Sequence, residues 1–191
     1  MSIIGISFNG PISHPATTKL RNACCMAVND RLDDGRRKYS DLYLFFNSSG
    51  GAVDDGIGLY GFLRSLPISI TTINVNQIAS IAIVPFLGGR TRIGLPHCTF
   101  HFHDFEWNYA TPHNLTRLEY QDHTQILDSG KATALQLLKD NTALTDEDFK
   151  NLKLMDVPLI QGADFAKEKG IIHEIEYVTI PEDMPIYNVD Y

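Results

Sequence analysis

The sequence is poor in cysteine and has no apolar run that could cross a membrane. Its three cysteines include an adjacent pair, Cys24 and Cys25, which matches neither a disulfide framework nor a metal site. We therefore expect them to be small core residues. The longest apolar run, Ile78 to Leu87, is about half the length of a transmembrane helix. Residues 1–8 are apolar but lack the basic region and cleavage site of a signal peptide, so we expect a cytoplasmic protein.

Positive charge is also in short supply. The chain has 16 lysines and arginines against 23 acidic residues, and its net charge is −7. Nucleic acids and anionic membranes attract basic surfaces, so neither is expected as a partner. No Gly-x4-Gly-Lys-Ser/Thr phosphate loop occurs, and we expect no nucleotide site and no cofactor. The length of 191 residues and the 43% hydrophobic content predict a single globular domain over residues 1–191.

Segments with strand-like and helix-like apolar spacing alternate along the chain. This order predicts an α/β fold of crossover units around a parallel sheet. We expect Gly88–Gly94 to be a turn, the helix at 114–138 to break or kink near Ser129 and Gly130, and the tail 181–191 to be peripheral. The predicted strands lie at 3–8, 42–46, 68–76, 99–103 and 171–178, and the predicted helices at 20–28, 53–63, 81–87, 114–138, 163–169 and from Thr145 onward.

A single hydroxyl separates a predicted strand from a predicted helix that is apolar nearly all round. Ser80 follows the polar strand end and precedes the run from Ile81 to Leu87. The first amides of a helix lack intrahelical partners, and the positive end of the helix dipole lies there. A negative oxygen formed beside Ser80 would therefore be stabilised by the backbone, so Ser80 is a candidate nucleophile. The alternative is that Ser80 only caps the helix.

Two other motifs carry groups that a catalytic serine needs. Gly50 and Gly51 follow a buried strand and can present backbone amides, although such glycines also serve turns alone. His101 and His103 alternate in a strand, so both side chains can share one face. A His-x-His pair can bind a metal ion, but no third and fourth ligands occur at a suitable spacing. We therefore expect no metal.

Four motifs in this order resemble the proteolytic subunit of the Clp protease. They are Asn47-Ser-Ser-Gly-Gly51, Gln77-Ile-Ala-Ser-Ile-Ala82, Leu95-Pro96 followed by a strand ending at His103, and Ala163 with Gly170-Ile-Ile172. That family has an N-S-P-G-G loop, a G-Q-A-A-S-M nucleophile turn and an L-P-N-S-R-V-M-I-H strand. The resemblance covers residues 3–178. It implies a crotonase-like (ClpP-like) fold of repeated ββα-type crossover units, with a protruding helical handle at about 111–155.

The resemblance also assigns roles to individual residues. Ser80 matches the nucleophile of the family and His103 its general base, with His101 as the structural neighbour. Gly51 and Ile81 match the residues whose amides form the oxyanion hole. A serine hydroxyl needs a base within hydrogen-bond reach, and the tetrahedral oxyanion needs fixed donors. The implied function is a serine-type endopeptidase that hydrolyses peptides or unfolded chains through an acyl-enzyme.

The resemblance also implies a third catalytic residue, an aspartate, and counting without gaps from Thr145 places it at Asp156. The segment from Asp156 to Gly170 is about two residues longer than the family pattern. Asp104 and Asp164 are therefore alternatives. Asp156 could also simply end a helix.

Two other functions stay open beside the peptidase. One is a catalytically silent structural subunit of a ClpP-like ring, and the other is a crotonase-type enzyme acting on acyl-coenzyme A. The presence of both Ser80 and His103 argues against these alternatives, because neither function requires the pair. Ser49 replaces the proline of the family loop, and residues 104–109 replace its glycine-rich strand, so the cleavage preference stays open.

The resemblance further predicts partners. In the family the handle helix interlocks two rings, so we expect a homo-oligomer that is ring-shaped and takes a peptide or unfolded protein as substrate. The segment on which the family's ATP-driven unfoldase docks precedes the first strand. It has almost no counterpart before Ile3. We therefore expect no dedicated unfoldase ATPase.

Overall fold

The computed structural model describes residues 2–106, 114, 116–152 and 156–189. Strands and helices alternate through most of this chain. The strands are β1 (Ser2–Asn9), β2 (Tyr39–Ser48), β3 (Ser69–Ala79), β4 (Thr91–Gly94), β5 (Thr99–Phe102), β6 (Leu159–Gly162), β7 (Glu174–Ile175) and β8 (Ile186–Val189). The helices are α1 (His14–Asn29), α2 (Val53–Ser65), α3 (Ile83–Phe86), α4 (Arg117–Asn141), α5 (Asp146–Leu152) and α6 (Ala163–Glu168), with one 3-10 turn, Ser80–Ala82, before α3.

The strands form one 8-stranded sheet, in which β6, β5, β3, β2, β1 and β8 are neighbours in that order. The long strand β3 divides the sheet, because its residues 71–74 pair with β4 and its residues 77–79 pair with β5. Among the described strands only β5 and β6 pair antiparallel. The predicted α/β fold is confirmed. The branch in β3 is what positions the candidate site, since its last residues lead directly into Ser80.

The core lies between the sheet and the helices that cross it. In β2, Leu42, Leu44 and Phe46 are fully buried. On α1 the small and apolar residues at helical spacing, including Leu20 and Cys24, face the sheet side and are buried. Residues 78–89 are buried without interruption, which agrees with the apolar sequence of this segment. The turn at Ser80 is therefore embedded in a packed part of the chain.

The long helix α4 differs from the prediction in two ways. It begins after a capping box at Thr116 rather than at Asn114, and it continues without a break through Gly130. A Cβ atom on Gly130 would lie 2.7 Å from Val53 Cγ1. This glycine therefore allows a close approach of α4 to α2, and the predicted kink was wrong. Of the predicted handle at 111–155, residues 111–113, Leu115 and residues 153–155 lie outside the described part of the chain.

Three further segments, at 91–94, 171–178 and 181–191, also differ from the prediction. Thr91–Gly94 forms strand β4, so the prediction of a turn was wrong there. Too few residues alternate in β4 for its pattern to show in the sequence. The predicted last strand shortens to β7. The tail is not peripheral, because β8 pairs with β1 in parallel and Val189 is buried.

Arg92 on β4 is a charged side chain that the fold buries. Its Nε atom donates to the carbonyl oxygen of Ile171 at 2.8 Å, and one terminal nitrogen donates to the oxygens of Asn141 and Gly170, each at 2.8 Å. Burial lowers the pKa of the Arg92 guanidinium. Asn141 is the last residue of α4, and Gly170 follows α6. The cation therefore lies where the negative ends of two helices meet the sheet.

The three cysteines differ in their exposure. Burial raises the pKa of the Cys24 thiol to about 12 and that of Cys98 to about 11, whereas Cys25 is exposed.

No group of three or more metal-binding side chains occurs in the part of the chain that the structure describes. Within the same residues, no helix has the length and apolar character needed to cross a membrane.

Candidate active site

Ser80 occupies a strained turn between β3 and α3. Its φ is +56°, which is the only positive value outside glycine among the described residues. The left-handed region costs an ordinary residue about 1–2 kcal/mol, so the packed surroundings must hold the turn in place. Within the described chain, Ser80 Oγ makes no hydrogen bond to a helix amide, and the residue in the capping position is Ala79. Helix capping therefore does not account for this serine.

The glycine pair after β2 lies directly against this turn. A Cβ atom on Gly50 would lie 2.6 Å from Ser80 Cβ, and one on Gly51 would lie 2.1 Å from the oxygen of Ile12. Both glycines have positive φ, at +91° and +149°. No other residue fits at either position without a shift of the backbone. The sequence therefore needs two glycines here to bring a loop into contact with the serine.

The Gly51 amide is unpaired among the described residues. The neighbouring backbone groups are engaged, since Ile12 donates to the Gly50 oxygen at 2.8 Å and Ala52 donates to the Ile12 oxygen at 2.7 Å. The amide of Ile81 lies in the first turn of a helix, where no intrahelical acceptor is available. Both N–H groups can therefore serve an anionic oxygen beside Ser80.

Side chains of the same loop tie it to the strand that carries Ser80. The Oδ1 atom of Asn47 accepts the amide of Gln77 at 3.1 Å, and its Nδ2 atom donates to Asn9 at 2.6 Å. The Ser48 hydroxyl accepts the Gly50 amide at 3.2 Å. These bonds join the ends of β1, β2 and β3, so the loop and the serine turn are held in one geometry.

His103 lies one residue beyond β5, at the same edge of the sheet. Its Nδ1 atom is 2.6 Å from the carbonyl oxygen of Asp104. A carbonyl oxygen only accepts, so Nδ1 carries the proton and a neutral ring keeps its lone pair on Nε2. That is the form a general base needs. In the described chain no hydrogen bond joins His103 to Ser80, although both line one cavity.

This cavity has a volume of about 340 Å³. Its wall combines the serine, the histidine and the glycine loop with two residues of the segment after β5. The lining residues are Pro11, Ser49, Gly50, Gly51, Val53, Ser80, His103, Phe105 and Glu106. The pocket is wide enough for one amino-acid side chain or a short stretch of peptide beside the serine.

His101 has a different environment from His103. Its Nδ1 atom lies 3.4 Å from Gln77 Nε2, and its Nε2 atom lies 3.1 Å from Thr99 Oγ1. Burial, with the charge of His103 as a second cause, lowers the pKa of His101. The ring nitrogens of this histidine face Gln77 on β3 and Thr99 on β5, and His101 does not line the cavity.

The structure brings Asp156 to a lysine and not to the histidine. Asp156 Oδ1 lies 2.7 Å from Lys131 Nζ, and the same nitrogen lies 2.9 Å from Asp104 Oδ1. No carboxylate in the described residues is hydrogen-bonded to His103. Asp164 lies in the first turn of α6 and does not line the cavity. The role of Asp156 as third catalytic residue therefore stays a prediction.

Sequence reasoning missed Lys131 and Arg92. Lys131 lies 25 residues before Asp156 in sequence, and nothing in its neighbourhood on α4 marks it. Pairing of β5 with β6 brings Leu159 opposite Phe102, and the residues just before Leu159 thereby come close to those just after Phe102. The strand pairing thus brings Asp104 and Asp156 close together, and Lys131 binds both carboxylates.

Comparison with known proteins identifies the family. A family model described as Clp protease matches residues 31–178. This chain belongs to the Clp protease family. Relatives named "ATP-dependent Clp protease proteolytic subunit" include one from Chaetosphaeridium globosum, 28% identical over 142 residues that cover 73% of this chain and 68% of the relative. Another, from Oltmannsiellopsis viridis, is 37% identical over 75 residues, which cover 38% of each chain.

This chain matches less than half of the length of two of these relatives. The matched segment spans 38% of the Oltmannsiellopsis viridis protein and 32% of the one from Ostreococcus tauri. Solved structures agree over more of the length. A mutant of ClpP1 from Listeria monocytogenes has a TM-score of 0.72 at 18% identity, covering 91% of both chains. The ClpP catalytic domain from Plasmodium falciparum has a TM-score of 0.72 at 22% identity, covering 94% of this chain and 88% of that one.

These structural matches confirm the predicted ClpP-like fold. The Clp protease family model spans all of the predicted site residues, from Gly51 to Asp156.

Proposed function

We propose that this member of the Clp protease family is a serine endopeptidase that cleaves peptide bonds through an acyl-enzyme on Ser80. The observation that carries the proposal is the strained turn of Ser80, which shares one cavity with His103 and Gly51. Backbone strain that the surrounding structure maintains is found at functional sites, where it presents a side chain for chemistry. A serine with only a structural role would gain nothing from this conformation.

The Ser80 hydroxyl is the attacking group in this mechanism. Its Oγ atom bonds to a peptide carbonyl carbon while its proton passes to Nε2 of His103. His103 then gives that proton to the leaving amine as the C–N bond breaks, and an ester on Ser80 results. Water attacks this ester with His103 as base. The carboxylic acid product leaves, and the Ser80 hydroxyl is restored.

The oxyanion formed in each half of the reaction needs donors that are already in place. The amides of Gly51 and Ile81 take this role in the proposal, because neither has an acceptor within its own loop or helix. A donor fixed in this way lowers the barrier by about 3 kcal/mol. The hydrogen bonds of Asn47 and Ser48 hold the glycine loop in position.

A fluorophosphonate probe tests the proposal directly, because it forms a covalent bond only with an activated serine. We expect intact-mass spectrometry to show one label per chain on the wild type and none on Ser80→Ala. Ser49→Ala is a matched control, since Ser49 lines the same cavity and its loss leaves the label in place. Absence of label on the wild type, under conditions where a known serine peptidase reacts, would overturn the proposal.

A second candidate function is a catalytically silent subunit of a ClpP-like assembly. The specific observation in its favour is that His103 has no hydrogen bond to Ser80 or to a carboxylate in the described chain. Catalytic hydrogen bonds are often formed only in the substrate complex, so this observation does not displace the peptidase. A silent subunit leaves the probe unreacted while keeping the fold, and the labelling experiment separates the two functions.

We further propose that copies of the chain assemble into a ring through α4. The second half of this helix packs on the domain through Gly130, Ala134 and Leu138. Its first half exposes large apolar side chains, with Leu118 at 76% and Tyr120 at 64% of their accessible surface. Apolar surface of this kind on a projecting helix is typical of a site of contact between subunits.

A further inference from the structure

We infer that Lys131 is a positioning residue for His103, acting through the peptide group that follows Asp104. The inference rests on the proposed function only in taking His103 as the general base. Lys131 lies on α4 and does not line the cavity. It therefore acts on the histidine through other residues and not by contact with substrate.

The ammonium group of Lys131 binds two carboxylates at once. Its Nζ atom is 2.9 Å from Asp104 Oδ1 and 2.7 Å from Asp156 Oδ1. The lysine side chain is 24% exposed, whereas those of Asp104 and Asp156 are 53% and 60% exposed. Burial lowers the pKa of Lys131, but its bonds to Asp156 and Asp104 more than offset this effect and leave the pKa raised. The cation therefore links the two carboxylates of this cluster.

Asp104 carries the anchoring from the lysine to the backbone. The Oδ1 atom that Lys131 binds also accepts the amide of Phe105, at 2.9 Å. This N–H belongs to the same planar peptide group as the carbonyl of Asp104, and the two bonds point in opposite directions across a trans peptide. Fixing the direction of the N–H therefore fixes the direction of the C=O.

The Asp104 carbonyl in turn holds the ring of His103. Its oxygen accepts the Nδ1 proton at 2.6 Å. The chain of contacts thus runs from Lys131 through one carboxylate and one peptide group to the imidazole. A backbone carbonyl supplies the orienting hydrogen bond that an aspartate supplies in many serine peptidases. Without the lysine the carboxylate is free to turn to solvent, and the ring loses its fixed tautomer.

The tautomer of His103 can be measured without reference to activity. Solid-state 15N spectra of protein labelled at the histidine nitrogens distinguish Nδ1–H from Nε2–H, whatever the size of the assembly. The signal of His103 among the seven histidines is identified by its loss in His103→Gln. We expect the wild type to show Nδ1–H, Lys131→Met to show a mixture of both forms, and Lys131→Arg to restore Nδ1–H.

The rate of fluorophosphonate labelling gives a second readout. We expect Lys131→Met to slow labelling by about 10–100-fold, because a misplaced base acts at the wrong geometry. Lys139→Met is the matched control, since Lys139 also lies on α4 but pairs with Asp146 and stacks over Phe149. Its loss leaves the tautomer and the labelling rate unchanged. Asp104→Ala is a second variant in case Lys131→Met does not fold. It changes an exposed position, and we expect it to give the same change of the His103 tautomer.

The experiment separates failure of this inference from failure of the proposed function. An unchanged His103 tautomer in both Lys131→Met and Asp104→Ala overturns the inference, whatever their activity. A tautomer change in a protein whose wild type takes no label upholds the inference and overturns the peptidase. Asp156→Asn leaves Lys131 bound to Asp104, so we expect less than about a tenfold effect on labelling. A loss of several orders of magnitude would place the orienting carboxylate at Asp156 and overturn the role of Lys131.

Discussion

Replacement of Arg92 by methionine is expected to lower the free energy of unfolding by about 3–5 kcal/mol. The substitution removes three hydrogen bonds, to the carbonyl oxygens of Asn141, Gly170 and Ile171, each 2.8 Å long. Methionine has a similar length, so it fills much of the same space and leaves little cavity. The measured loss therefore reports the polar contacts.

The magnitude follows from what the three oxygens lose. A buried acceptor without a donor costs about 1–3 kcal/mol, so about 3–9 kcal/mol for three is an upper range, because only the bond to Ile171 is fully buried and the other two are partly buried. Removing Arg92 also removes the cost of burying a guanidinium, and this offsets the upper part of the range. The remaining loss of about 3–5 kcal/mol is a large fraction of the stability of a typical domain.

Urea unfolding followed by far-ultraviolet circular dichroism measures this loss, with both proteins at one concentration because the proposed assembly would also contribute to stability. Arg90→Met is the matched control. The Arg90 side chain makes no hydrogen bond or ion pair among the described residues and is exposed, so its loss changes stability by less than about 0.5 kcal/mol. A loss below about 1 kcal/mol for Arg92→Met, or one equal to that of the control, would refute the reasoning.

Three other predictions test separate parts of the molecule. Of the three thiols, only Cys25 should react with dithionitrobenzoate at pH 8 in the folded protein, and all three should react after denaturation. Leu118→Glu should weaken assembly about tenfold or more in sedimentation velocity, whereas Gln125→Glu, which adds the same charge to α4, should not. The bond to Lys169 lowers the pKa of Asp148 to about 2. The stability difference between wild type and Asp148→Asn should therefore be present at pH 6 and vanish as the pH falls through 2.

The candidate site divides into a part that the sequence predicts and a part that it does not. The glycine pair and the serine each follow a strand, and the ends of parallel strands meet at one edge of a sheet. These local signals marked each group separately, and the resemblance to the Clp protease family assigned Ser80, Gly51 and His103 to one site. The structure places the three residues on one cavity. The strain at Ser80 was not predictable, because a positive φ at a residue other than glycine arises from the packing around it.

The sequence by itself determined the alternation of strands and helices and the α/β fold, because apolar periodicity and turn residues act over a few positions. Tertiary structure alone decided which polar groups meet. Lys131 binds Asp156 from 25 residues away, and Arg92 bonds to Ile171 across 79 residues. Such pairs depend on strand register and helix packing, which many distant residues set together. For the same reason the sequence could name Asp156 as a candidate for the site, while its partner in the structure was decided by the packing that brings Lys131 of α4 to it.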